Sequence, residues 1–162
     1  MRKHHVALGL GLAIAVAISG MAAVAADGDS ITVDLKTFKF KVKEELAALF
    51  GYDEGQGRLF YLTAGAGEAA VKIPADGDYE LVIKASCDPA LNERAKFKVT
   101  LAGQEVGKET LLTADEEKEY KLPLKAKAGE QKLTIEFTND AYKEGEYDRN
   151  FYVHGVTLKK AK

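Results

Sequence analysis

The chain has 162 residues, of which 46% are hydrophobic and 30% are charged, and its formal net charge at pH 7 is −2. This mild acidity gives no electrostatic basis for binding nucleic acid. The single cysteine, Cys87, excludes an intrachain disulfide, so packing or a metal ion must stabilise the fold.

Residues 1–25 have the pattern of a secretory signal peptide. Arg2 and Lys3 form a positive amino-terminal region, Val6 to Ile18 form an uncharged apolar run, and small residues at 23–25 form a cleavage site. The alternative is an uncleaved membrane anchor, which the glycines in the run disfavour. We therefore expect a protein that is secreted, periplasmic or at the cell surface, with no membrane association once the signal is removed.

The remainder is long enough for one domain with a single hydrophobic core. Removing Arg2 and Lys3 with the signal peptide leaves 21 Lys and Arg against 25 Asp and Glu, so the mature chain is also mildly acidic.

From Ser30 onward, apolar residues alternate with polar ones at the period of two that is typical of strands with one buried face. A helical turn is predicted at 44–50 and a loop at 51–57. Strands are predicted, in chain order, at 31–35, 38–43, 58–62, 70–73, 79–84, 95–101, 105–107, 120–124, 133–137 and 151–158.

Nine or ten short strands joined by turn residues, with no long helix, predict an all-β protein. We expect an antiparallel β-sandwich of the jelly-roll type that spans 26–158. Segment 86–94, which contains Cys87, is predicted to be a loop beside the acidic loop described below. The basic tail, 159–162, is predicted to be disordered.

The inventory of nucleophiles and bases argues against an enzyme. After the signal peptide the chain holds Ser30, Ser86, Cys87 and His154, which are widely separated and match no catalytic motif. His154 follows Val153 in a predicted strand, so the two side chains are expected to face opposite sides of the sheet. The number of Asp and Glu leaves a two-carboxylate glycosidase open, but a chain this short seldom builds both a core and a substrate cleft.

An acidic loop near the carboxyl end carries the strongest functional signal. It contains Asp140, Glu144, Glu146 and Asp148, four carboxylates within nine residues. Because these charges repel one another, the side chains must either point apart into water or bind a common hard cation. An EF-hand is excluded, because counting from Asp140 places aromatic residues at the third and twelfth positions. Composition alone favours a solvated loop over a metal site.

A resemblance favours the metal site. The succession F-T-N-D at 137–140, an acidic spacer, and D-R-N-F-Y-V at 148–153 is similar to the signature of the calcium-dependent xylan-binding carbohydrate-binding modules, families thirty-six and sixty. Those modules are β-sandwiches in which sugar hydroxyls complete the coordination shell of a loop-bound Ca²⁺. The resemblance implies that Asp140, Asp148 and Asn150 are metal ligands. It departs at His154, where an acidic residue is expected.

Three residues of the acidic loop are predicted to contact the saccharide, namely Tyr142, Glu146 and Tyr147. Either tyrosine could stack on a pyranose ring, or it could simply pack within the loop. The chain has no Trp, which suits a binder that relies on cation–hydroxyl coordination.

We therefore predict a non-catalytic, Ca²⁺-dependent module that binds xylan or a similar β-linked polysaccharide through vicinal hydroxyls. The alternative is a structural or protein-interaction β-sandwich whose calcium is structural or absent. In either case the module could dock on another secreted protein.

Overall fold

The computed structural model describes residues 25–27 and 30–161. The predicted signal peptide therefore lies outside the described residues, apart from Ala25. Within the described ranges, no helix combines the length and the apolar character needed to cross a membrane.

The described residues form short strands and two 3₁₀ helices, Leu35–Thr37 and Glu44–Leu49. The strands, in chain order, are β1 (Ala25–Asp27), β2 (Ser30–Thr32), β3 (Lys39–Phe40), β4 (Phe50–Asp53), β5 (Arg58–Tyr61), β6 (Gly65–Ile73), β7 (Gly77–Asp88), β8 (Lys96–Leu101), β9 (Gln104–Glu105), β10 (Thr110–Leu111), β11 (Lys118–Ala126), β12 (Gly129–Phe137), β13 (Tyr142–Lys143), β14 (Tyr147–Asp148) and β15 (Asn150–Lys160).

Two antiparallel sheets face each other across the core. The first has the order β1-β2-β15-β5-β4, with β7 pairing both β15 and β11. The second has the order β10-β8-β12-β6-β3, with β9 beside β8. Strands β13 and β14 form a separate two-stranded hairpin. The antiparallel β-sandwich predicted from the alternating pattern is thus confirmed.

Aromatic side chains from both sheets fill the core beneath the start of β15. Phe151 is fully buried, and its ring centroid lies 5.3 Å from that of Tyr61, 5.4 Å from Phe97 and 5.9 Å from Phe137. The Tyr61 hydroxyl donates to the Ile135 carbonyl at 3.2 Å and so ties one sheet to the other. The first residues of β15 are therefore held in place by closely packed aromatic side chains.

Strand β15 contains an irregularity that decides where its side chains point. Its register with β7 shifts between Val153 and Gly155, so His154 is an extra residue on the β15 side. Both Val153 and Val156 remain buried on either side of this bulge. The outer face of the first sheet accordingly receives Tyr152 and His154, whereas Phe151 and Val153 point into the core.

Several predicted boundaries differ from the structure. The prediction of a loop at 86–94 was wrong at its start, because β7 continues to Asp88 and places Cys87 inside a strand. Only Lys39 and Phe40 form a strand in the alternating stretch 38–43. The tail also starts later than predicted, because Lys159 pairs with both β2 and β7, and Lys160 pairs with β7. Each difference reflects strand pairing, which the local pattern does not encode.

Candidate functional site

Three chain segments meet at the end of the sandwich above the aromatic core. Asp88 ends β7, Asn150 begins β15, and the two residues are directly paired. Strand β14 of the hairpin leads through Arg149 directly into β15. Residues paired in this way project from the same face of the sheet, so the three segments present their side chains to a common surface.

The register of the hairpin determines which acidic residue joins this surface. β13 and β14 pair antiparallel, and the backbone N–H of Arg149 extends the pairing by donating to the Ala141 carbonyl at 2.9 Å. The same register, continued by one residue, makes Asp140 the position opposite Asn150, which is itself paired with Asp88 of β7. The described side-chain contact of Asp140 is with Thr63, just after β5.

Asp88, Asp140, Asp148 and Asn150 are here called the acidic cluster. The Asn150 side-chain amide nitrogen donates to Asp88 Oδ2 and to Asp148 Oδ2, both at 3.2 Å. Tyr152 donates its hydroxyl to the same Asp88 oxygen at 2.6 Å. Burial and this hydrogen bond raise the pKa of Tyr152 above its ordinary value, so it remains a donor. Neutral donors thus hold two carboxylates close together.

Two buried oxygens of the acidic cluster have no hydrogen-bond partner, namely Asp140 Oδ1 and Asn150 Oδ1. The other Asp140 oxygen accepts from the Thr63 hydroxyl at 2.9 Å. Leaving a buried acceptor unsatisfied costs about 1–3 kcal/mol. A hard cation would satisfy both atoms, since Ca²⁺ is bound by carboxylate and amide oxygens.

The carboxylates of the acidic cluster do not by themselves form a metal-binding site. In residues 25–27 and 30–161, no group of three or more His, Cys, Asp or Glu side chains is close enough to hold a metal ion. Ca²⁺ also binds amide oxygens, and Asn150 supplies one beside the carboxylates of Asp88 and Asp148. The donor set therefore fits a hard, oxygen-liganded cation in its chemistry.

The predicted saccharide contacts separate into two groups. Tyr142 is 63% exposed and pairs directly with Asp148, so the two side chains project from the same face of the hairpin. Tyr147 pairs with Lys143 and projects from the opposite face. Glu146 lies in the turn, where its carboxylate forms an ion pair with Lys143 at 2.5 Å. The structure thus brings Tyr142 beside the acidic cluster and leaves Glu146 and Tyr147 apart from it.

Sequence analysis did not identify Arg149, which holds the loops around the acidic cluster together. It is 3% exposed although it lies between two polar residues. Its guanidinium donates to three backbone carbonyls, those of Ala90, Glu93 and Asn139. The first two belong to the loop after β7, and the third precedes Asp140. Arg149 therefore connects the segments that carry Asp88 and Asp140.

Sequence analysis also did not identify Asp88. The only available signal was the prediction that segment 86–94 lies beside the acidic loop. Asp88 reaches the acidic cluster because β7 and β15 are paired over ten residue positions, a long-range contact that the local sequence does not reveal.

The structure brings together Ser86 and His154, which lie 68 residues apart in the sequence. Ser86 Oγ lies 2.8 Å from His154 Nε2, and Glu117 Oε1 lies 3.1 Å from His154 Nδ1. This order of groups is that of a nucleophile, a base and an orienting acid. However, the backbone N–H that follows Ser86, that of Cys87, already donates to the Asp115 carbonyl at 3.0 Å. An amide engaged in this way is not free to stabilise an oxyanion, so we interpret the group as a link between strands.

His154 should make the stability of the protein depend on pH. Burial lowers its pKa below 6.5, while Glu117 opposes the shift and Arg58 and Lys84 reinforce it. A lowered folded-state pKa means that the stabilisation is complete above about pH 6.5 and is lost as the pH falls through the folded value. We expect urea unfolding to show that His154→Gln loses less stability than the wild type between pH 7.5 and pH 5. An equal loss in both proteins would contradict this assignment.

Comparison with known proteins gives a family match and several structural neighbours. The model of the family described as Ca-dependent, xylan-binding carbohydrate-binding module (CBM60) matches residues 80–162. This segment includes every member of the acidic cluster. A comparison with curated proteins finds no match.

Three similar solved structures are carbohydrate-binding modules. The CBM36-1 domain of a multidomain xylanase from the hindgut metagenome of Trinervitermes trinervoides has a TM-score of 0.63 at 12% identity, covering 83% of this chain and 99% of that domain. The C-terminal CBM6 of LamC, a marine laminarinase from Zobellia galactanivorans, has a TM-score of 0.57 at 10% identity, covering 82% and 100%. A family 35 module from Clostridium thermocellum has a TM-score of 0.52 at 15% identity, covering 86% and 98%. At these identities the likeness establishes the β-sandwich fold alone.

Proposed function

Because this chain belongs to the Ca-dependent, xylan-binding carbohydrate-binding modules of family 60, we propose that it binds xylan or a similar β-linked polysaccharide at the acidic cluster in a Ca²⁺-dependent manner. The observation that carries this proposal is the pair of buried oxygens without partners, Asp140 Oδ1 and Asn150 Oδ1. They lie in the segment that the family model matches. We further propose that the mature protein is non-catalytic and exported, as the pattern of residues 1–25 predicts.

Four residues would hold the cation in this proposal. Asp140, Asp148 and Asn150 were predicted from the sequence, and Asp88 is added here because it accepts from the Asn150 side chain that also donates to Asp148. The bound Ca²⁺ would supply open coordination positions for sugar hydroxyl oxygens. Neighbouring hydroxyls on one pyranose ring can both reach such an ion, which is the basis for proposing vicinal hydroxyls as the recognised feature.

The protein's own residues perform the remaining tasks. Tyr152 and Asn150 orient the Asp88 carboxylate, and Thr63 orients Asp140. Tyr142, exposed beside Asp148, offers an aromatic face on which a sugar ring can stack.

Titration of the mature domain with xylotetraose, with calcium and with a chelator, tests the proposal. We expect binding in millimolar calcium and none in chelator, because extracellular modules commonly hold Ca²⁺ at about 10⁻⁴ to 10⁻³ M. Calorimetry measures the sugar affinity, and thermal unfolding measures metal binding independently. Metal-stabilised folding without sugar binding would favour the alternative of a structural or protein-interaction sandwich. Binding that persists in chelator would contradict the role of calcium.

A further inference from the structure

Arg58 occupies the outer face of the first sheet next to the acidic cluster. It begins β5, and its strand neighbour Phe60 pairs with Tyr152 of β15. The guanidinium carbon of Arg58 lies 3.7 Å from the centroid of the Tyr152 ring. This is a close cation–π contact, which covers one face of the ring and fixes the orientation of the guanidinium.

The carboxylates nearest to Arg58 along the sheet are engaged by other groups. Asp53 pairs with Arg58 across the strands, but its Oδ1 accepts from the backbone N–H groups of Gly55 and Gln56 at 2.9 and 3.1 Å. Glu117 forms an ion pair with Lys84, and its other carboxylate oxygen lies 3.1 Å from His154 Nδ1. Asp88, as described above, accepts from Tyr152 and Asn150.

Arg58 itself is left with unused donors. Its Nε is buried and has no hydrogen-bond partner, and within the described part of the chain no carboxylate lies at ion-pair distance from it. The two terminal nitrogens of the guanidinium carry four further N–H donors in a planar fork that matches a carboxylate, whereas the buried Nε is closed to a ligand. The protein thus offers an oriented cation whose hydrogen-bonding capacity is not satisfied internally.

We propose that Arg58 forms an anion subsite that accepts the carboxylate of a uronic acid substituent on a xylan-type chain. This inference rests on the proposed function, since the chain must first be held at the acidic cluster. Tyr152 contacts Arg58 through the face of its ring and Asp88 through its hydroxyl, so one tyrosine side chain separates the two residues. That separation is comparable to the width of one sugar ring, so a substituent on the bound sugar reaches the guanidinium.

The contacts of Arg58 separate this subsite from general xylan recognition. Among the described residues, Arg58 stacks on the Tyr152 ring and forms no hydrogen bond or ion pair with a member of the acidic cluster. Its loss should therefore affect binding of the acidic substituent more than binding of the polysaccharide backbone.

Paired oligosaccharides test this inference. A glucuronosyl-substituted xylotetraose and the same compound with its carboxyl group reduced to a primary alcohol differ only at that one group. In calcium, we expect the wild type to bind the acidic form about tenfold more tightly, the scale of a charge-assisted hydrogen bond. Added salt should reduce this difference.

Two variants assign the preference to the guanidinium. Arg58→Gln should bind both compounds with the affinity of the wild type for the reduced form. Arg58→Lys keeps the charge without the fork, and it should retain part of the preference. A thermal unfolding curve for each variant confirms that the domain is folded.

The outcomes distinguish this inference from the proposed function. Equal binding of the two compounds by the wild type, a measurement that needs no variant, would overturn the anion subsite and leave xylan binding intact. A preference that survives in Arg58→Gln would also overturn it. If neither compound binds in the presence of calcium, the proposed function fails and the subsite fails with it.

Discussion

Replacing Asp148 with alanine should abolish chelator-sensitive xylan binding while leaving the sandwich folded. Asp148 is exposed, and its described side-chain hydrogen bond is the one that it accepts from Asn150 at 3.2 Å. Its loss therefore removes a carboxylate from the acidic cluster without opening a cavity in the core. Because Asp148 connects the hairpin to Asn150, the remaining oxygens would be too few and too loosely held to retain Ca²⁺.

The same hairpin offers a matched control in Glu144. It is exposed in the turn between β13 and β14 and carries the same charge as Asp148. Glu144→Ala should bind xylotetraose as the wild type does, which would show that the position of the carboxylate matters and not the net charge of the loop. Asp88→Ala should behave like Asp148→Ala. Calorimetric titration in calcium measures all three, and full binding by Asp148→Ala would refute its role as a ligand.

Alternation predicted the fold well because burial imposes it directly. A strand that packs one face on a core must place apolar residues at every second position. The stretch 151–153 obeys this rule, with Phe151 and Val153 fully buried and Tyr152 on the outer face. The lead-in strand obeys it as well, since Leu133, Ile135 and Phe137 are all fully buried. These positions were therefore predictable from the sequence alone.

Three of the four members of the acidic cluster were predicted from the sequence, and the fourth, Asp88, was not. Asp140, Asp148 and Asn150 lie close together in the sequence and within the motif, whereas Asp88 is 62 residues from Asn150, its hydrogen-bond partner. The link between Ser86 and His154 spans 68 residues and depends on the bulge in β15. Contacts of this kind are set by strand register, which a single sequence does not specify.

Arg149 illustrates a further limit of sequence analysis. By composition, the D-R-N segment is a polar stretch, and an arginine within it is expected to be solvated. In the structure this arginine is almost completely buried, because three backbone carbonyls of two loops turn toward its guanidinium. A charged residue is buried only when such partners are available, and the sequence does not show where loop carbonyls will point.

Replacing Arg149 with methionine should destabilise the domain by about 1–3 kcal/mol, because it leaves the Asn139 carbonyl without its described donor. The Ala90 and Glu93 carbonyls also lose a donor, but each still accepts from the backbone N–H of the other residue. Glu93 would also lose the guanidinium nitrogen that lies 3.6 Å from its carboxylate. Urea unfolding in the absence of calcium measures the effect on the fold alone.

Arg94 provides the control, because it belongs to the same loop but forms an exposed ion pair with Asp115 at 2.6 Å. Such surface pairs contribute about 0–1 kcal/mol, so Arg94→Met should change the free energy of unfolding little. The two variants should also differ in calcium affinity. Arg149→Met frees the segments that carry Asp88 and Asp140 from each other, and the loss of support behind metal ligands typically weakens binding about 10–100-fold. If Arg149→Met lowers stability but leaves the calcium affinity of the folded protein unchanged, Arg149 supports the sandwich and not the acidic cluster.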